Sequence, residues 1–144
     1  MKLIAHRGNT AGPNKRDENM PNYIMEALNA GYDAEIDVWK VSDGWFLGHD
    51  GPIWKVDIEF LKTSGLWCHA KNLEALESMI ECGVHCFWHD SDDYTLTSQG
   101  YVWAYPGNPL GPRSICVMPE KNDFKDMQDC YGICSDFIGR LGEE

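Results

Sequence analysis

Short strand-like runs recur through the whole chain, and what separates them decides which folds are open to it. Leu3 to His6, Ala34 to Lys40, Trp45 to His49, Leu66 to Ala70, His85 to His89, Tyr101 to Tyr105, Ser114 to Met118 and Gly132 to Phe137 read as strands. Trp45 to His49 follows its predecessor across Ser42-Asp43-Gly44, a turn triplet that predicts a hairpin. Amphipathic helices are predicted between other runs. Pro21 to Ala30 sets Ile24, Ala27 and Leu28 on one face, with Pro at its start and Gly31 at its end. Asp57 to Ser64 opens on a capping Asp. Asn72 caps Leu73 to Cys82, which Gly83 ends, and Asn122 caps a last helix through Asp129. Such alternation predicts βαβ units and a largely parallel sheet. Ser91 to Gly100 and Pro106 to Arg113 read as loops and supply no crossover helix. The expected fold is therefore α/β: a compact, stripped-down TIM-like (β/α) barrel with several helices replaced by loops, in one domain over residues 1–144.

The formal net charge of -11 repels nucleic acid and anionic lipid headgroups, so neither is an expected partner. The same acidity suits a bound cation. No apolar run approaches the roughly 18 residues of a membrane span, so no integral membrane association is expected. Leu3-Ile4-Ala5 is too short for a signal-peptide core, and a cytoplasmic location follows as an expectation. The six cysteines fall in two CxxxC pairs and in apolar runs, a pattern that predicts buried reduced thiols rather than a zinc site or disulfides.

Ala34-Glu35-Ile36-Asp37-Val38 carries the chemistry. On a strand, Glu35 and Asp37 point one way while Ile36 and Val38 point the other. Two adjacent carboxylates repel unless a cation or a basic side chain neutralises them; an exposed edge strand is the plainer alternative. Context favours a site. The first strand ends in His6-Arg7-Gly8, the hairpin in His49-Asp50-Gly51, and the next strand in His69-Ala70-Lys71-Asn72. Parallel strands in a barrel deliver such ends to one face, where active sites form.

These motifs resemble a known family. Ile4-Ala5-His6-Arg7-Gly8, Glu18-Asn19, Ala30-Gly31-Tyr32-Asp33-Ala34-Glu35-Ile36-Asp37-Val38 and His49-Asp50 look like those of the glycerophosphodiester phosphodiesterases, within the phosphatidylinositol-phospholipase-C-like barrels. The whole chain resembles a short-chain bacterial and phage subgroup. The resemblance implies a metal-dependent hydrolase acting on a glycerophosphodiester or similar small phosphodiester. It implies His6 and His49 as general acid and base, Glu35 and Asp37 as ligands of a divalent cation (Mg²⁺ or Ca²⁺), and Arg7 and Lys71 as phosphate contacts. Glu18 supports the catalytic loop and Asp50 belongs to the His-Asp motif. The family's third ligand is a Glu where this chain has His69, an imidazole better suited to Mn²⁺ or Zn²⁺. Glu120, at a later strand end, is the candidate carboxylate to fill that place.

Other residues read more plainly. His89-Asp90 at a strand end and Asp92-Asp93 after it could touch substrate but better suit a solvated loop, and His85 and Asp136 suit structural roles. Trp103 and Tyr105 share a strand face as core or as pocket wall. Two further functions stay open. One is lyase chemistry on a phospholipid headgroup, as in sphingomyelinase D relatives; the other is a degenerate protein that binds metal or phosphate without catalysis.

Overall fold

The computed structural model describes residues 1–125, 127 and 129–142. In chain order it holds β1 (Lys2–His6), α1 (Pro21–Asn29), β2 (Asp33–Val41), β3 (Gly44–Leu47), β4 (Trp54–Val56), α2 (Ile58–Leu61) and β5 (Leu66–Ala70). Then follow α3 (Leu73–Glu81), β6 (Cys86–Phe87), β7 (Tyr94–Leu96), β8 (Val102–Ala104), β9 (Ser114–Val117), a 3₁₀ turn (Pro119–Asn122), β10 (Gly132–Ser135) and α4 (Ile138–Leu141).

The expected TIM-like barrel is not the fold. Ten strands form one curved, mixed sheet, a half-barrel, and among the described residues its four helices are short. Strand order runs β4-β3-β2-β1-β10-β9-β8-β7, with β5 and then β6 added on β2. Pairing is parallel from β6 through β5, β2, β1, β10 and β9 to β8, and antiparallel for β2–β3, β3–β4 and β7–β8. The missing helices have a local cause. Between β6 and β8 the chain carries Asp90, Asp92, Asp93 and Gly100 with no apolar stripe, so it folds back as β7. Between β8 and β9 lie Pro106, Gly107, Pro109, Gly111 and Pro112, which cannot sustain a crossover helix. The helix expected over 122–129 is also absent where it is described: the 3₁₀ turn ends at Asn122, and residues 126 and 128 lie outside the described residues.

Period-two alternation sorts the side chains. On the convex face Ile36, Val38, Cys68, Ala70 and Cys86 pack under Ile24 of α1 and Ala75 and Met79 of α3. Ala5, Cys116 and Ile133 pack with Ala27 and with Ile138 of α4. The concave face holds Ile4, Trp67, Phe87, Trp103, Ile115 and Cys134 as an apolar floor. Phe87 and Trp103 stack there with ring centroids 4.6 Å apart. No disulfide forms among the described residues, and Cys68, Cys86 and Cys134 are buried. No described helix is long and apolar enough to cross a membrane.

Candidate functional site

Strand register builds the site. Parallel pairing sets His6 beside Glu35 and Asp37 beside His69, so four polar side chains stand in adjacent positions on the concave face above the aromatic floor. The chain then turns sharply after His6. Arg7 and Gly8 have φ of 56° and 88°, and a Cβ at Gly8 would come within 2.9 Å of the Tyr23 ring, so only glycine fits there without movement. The Arg7 amide donates to the Glu35 carbonyl at 2.9 Å, which fixes the start of this loop on β2. The loop carrying His49 is held in turn by Trp39 Nε1, which donates to the Gly48 carbonyl at 2.7 Å.

Glu35 and Asp37 are 3% and 1% exposed, and their charge is met by neighbours. His69 Nδ1 lies 3.3 Å from Asp37 Oδ1 and 3.7 Å from Glu35 Oε2, and Arg7 Nε lies 3.3 Å from Asp37 Oδ2. Burial alone would raise the Asp37 carboxyl, but His49, His69 and Arg7 outweigh it and hold the group well below the ordinary carboxylate range. Burial would lower His69, yet the two carboxylates push it up to about 9. His6 follows the same logic. Its Nδ1 lies 2.7 Å from Asp136 Oδ1 and its Nε2 3.9 Å from Glu35, and together these carboxylates raise the imidazole above its usual value against the effect of burial.

His49 is placed differently. Its Nδ1 lies 2.8 Å from Arg7 Nη2 and 3.5 Å from Asp37 Oδ2. A guanidinium only donates, so in this contact Nδ1 is the acceptor from Arg7.

Not every expected residue joins the cluster. Glu35, Asp37 and His69 offer donor atoms all within 4.8 Å of one another, a mixed oxygen and nitrogen set that could hold a divalent cation. Glu120 is not among them: Oε1 accepts from Ser135 Oγ at 2.8 Å and Oε2 from the Asp136 amide at 3.0 Å, so it anchors the end of β10. Lys71 is not among the residues lining the cavity, whereas Lys121 is. Glu18 accepts from Arg7, from Asn9 and from the Asn14 amide, and these bonds lower its carboxyl against the opposing effect of burial. Asp50 is fully in solvent, 3.7 Å from His49 Nε2.

The cavity above the cluster measures about 140 Å³ and is lined also by Trp103, Tyr105, His89 and Lys121. An adjoining groove of about 520 Å³ shares Arg7 and His49 and continues past Lys15, Ile53 and Trp54.

Several contributors escaped the sequence. Asn19, buried and left-handed at φ 68°, donates to Asp37 Oδ2 and accepts from the Asp37 amide, both at 2.9 Å. Asn9 Nδ2 bridges Glu18 and Asp136 at 2.9 Å each. The Glu18-Asn19 pair signals the first, and the end of the His85 to His89 run marks His89; nothing local marks Asn9 or Lys121. No family model, curated protein or solved structure matches the chain.

Proposed function

We propose that this chain is a metal-dependent phosphodiesterase that hydrolyses a glycerophosphodiester or similar small phosphodiester by His/His acid–base catalysis. The observation that carries this reading is the convergence of Glu35, Asp37, His69, His6, His49 and Arg7 on one cavity. Glu35, Asp37 and His69 would hold the cation, Mg²⁺ or Ca²⁺ by resemblance, with Mn²⁺ or Zn²⁺ suited to the imidazole. When bound, such an ion supplies charge stabilisation to oxygens that gain charge during attack at phosphorus. At about 140 Å³ the cavity is well below the ~300–1,000 Å³ of drug-sized sites, room for a phosphoryl group with its alcohol parts reaching into the adjoining groove.

The two histidines divide the proton work by environment. His6, between Asp136 and Glu35, favours the imidazolium and holds a proton at Nε2 for the leaving alkoxide. His49 Nδ1 is occupied by Arg7 Nη2, 2.8 Å away. An anionic phosphoryl oxygen competes for that guanidinium, and once Arg7 turns to it, His49 Nδ1 is released to accept the proton of the attacking hydroxyl. Each step of this kind contributes typically 10²–10⁴-fold.

The test is an assay of the metal-stripped protein on glycerophosphodiesters and a chromogenic phosphodiester, with Mg²⁺, Mn²⁺, Ca²⁺ or Zn²⁺ restored. Turnover should return with metal and vanish in His6→Ala and in Glu35→Ala. A second reading is a binding protein without catalysis. It is favoured by Arg7 and His69, which already neutralise the two carboxylates, and by Glu120, which is held away from them. Tight cation binding with no diester cleaved under any metal would establish that reading instead.

A further inference from the structure

Both ring nitrogens of His89 are shielded from solvent and have no hydrogen-bond partner among the described residues. Folded proteins rarely leave buried polar atoms in that state without a use for them. The ring lines the same cavity as the carboxylate cluster. Tyr105 packs on the ring with centroids 4.2 Å apart, and the His89 backbone carbonyl accepts from His69 Nε2 at 3.0 Å. The His89 and His69 ring centroids are 6.2 Å apart, and His89 is outside the group whose donor atoms fall within 4.8 Å. Its nitrogens therefore lie outside the cation shell and, covered as the ring stands, need a turn of the side chain to reach an occupant of the cavity. Lys121, on the 3₁₀ turn, brings a cation to the same cavity.

We propose that His89 and Lys121 form an anion-binding wall of this cavity, donating to the non-bridging oxygens of a phosphoryl group. The choice of ligand class rests on the phosphodiester reading above. An imidazole offers at least one N–H in either protonation state, so the contact does not depend on its titration. The wall also supplies the second cationic contact that the resemblance had assigned to Lys71, whose side chain is not part of the cavity lining.

Calorimetric titration of the full chain with inorganic phosphate, at fixed Mg²⁺, tests this. His89→Phe keeps a ring against Tyr105 and deletes both nitrogens, His89→Asn keeps a side-chain N–H, and Lys121→Met removes the charge. The phosphate Kd should rise roughly three- to tenfold in His89→Phe and in Lys121→Met, with partial recovery in His89→Asn. His89→Phe should melt no lower than the parent protein, because it removes polar atoms that lack partners. An unchanged phosphate Kd in His89→Phe, failure of the parent to bind phosphate, or a clear fall in the melting temperature of His89→Phe overturns the wall. Diester turnover measured on the same proteins separates the two claims. Turnover with unchanged phosphate affinity in the variants removes the wall and leaves the phosphodiesterase; His89-dependent phosphate binding without turnover does the reverse.

Discussion

His85 Nε2 lies 2.8 Å from Thr97 Oγ1, and its ring packs against Trp67 with centroids 4.4 Å apart. Burial beside that indole pushes the imidazole down to about 4 from the ordinary 6.5. The depressed value fixes the sign of its effect. Above pH 6.5 the ring is neutral folded or unfolded and contributes nothing to the pH dependence. Between 6.5 and about 4 the unfolded chain takes up a proton that the folded one refuses, so stability falls with pH; below about 4 the loss is complete. After allowance for partial solvent screening the loss is roughly 1–2 kcal/mol. Urea midpoints measured from pH 7 to 4 should fall less steeply in His85→Gln than in the parent; parallel curves would show that the ring is not held neutral. A structural role for His85 was legible from its place at the start of a strand run. So was the shared face of Glu35 and Asp37, which requires only the two-residue period of a strand. Asn9 and the partnership of His6 with Asp136 were not, because they come from contacts with no local signature, the latter across 130 positions.

Among the elements, β2 does most to organise the molecule, since it pairs with β1, β3 and β5 and presents two chemistries on opposite faces. Ile36 is fully buried on the convex side, between the carboxylates that face the cavity. Ile36→Ala should cost roughly 2–5 kcal/mol, read from denaturant midpoints, while a divalent cation still raises the melting temperature. Loss of the cation response with stability retained would mean that the two faces are not separated in this way. The longer elements were legible for the same reason that they are stable: α1, α3, β2 and β5 each bury a regular apolar stripe, and Asn72 and Asp57 cap their helices as the sequence suggests. β4 and β7 were not, being three residues each and largely uncovered, with pairing decided by the neighbouring strand. The four-residue α4 is likewise too short to show a period. The barrel expectation fails at these same points: Ser91 to Gly100 reads as a loop yet supplies β7, and β4 extends the expected hairpin, so antiparallel strands fill the edges of the sheet.

At the scale of the whole molecule, parallel pairing of β1, β2 and β5 gathers buried acids at one place in a chain of net charge -11, and something positive must accompany them. Without a metal, Arg7 and protonated His69 fill that role. His69 at about 9 is raised above the unfolded 6.5, so its contribution to stability is fully present below pH 6.5 and is lost as pH rises through about 9. A cation that binds through the His69 nitrogen has to displace that proton, because only the neutral ring offers a lone pair. Its apparent affinity should therefore climb with pH, by roughly tenfold per unit between about 6.5 and 9, and level off above. Calorimetry in buffers of different ionisation enthalpy should count about one proton released per ion bound at neutral pH. In His69→Gln both the proton release and the pH slope should disappear, leaving weaker binding to Glu35 and Asp37. If the parent protein binds a cation with no proton released and no slope, His69 keeps its proton. It would then be a fixed counter-charge to the carboxylates, and the cation would be held by oxygen ligands alone.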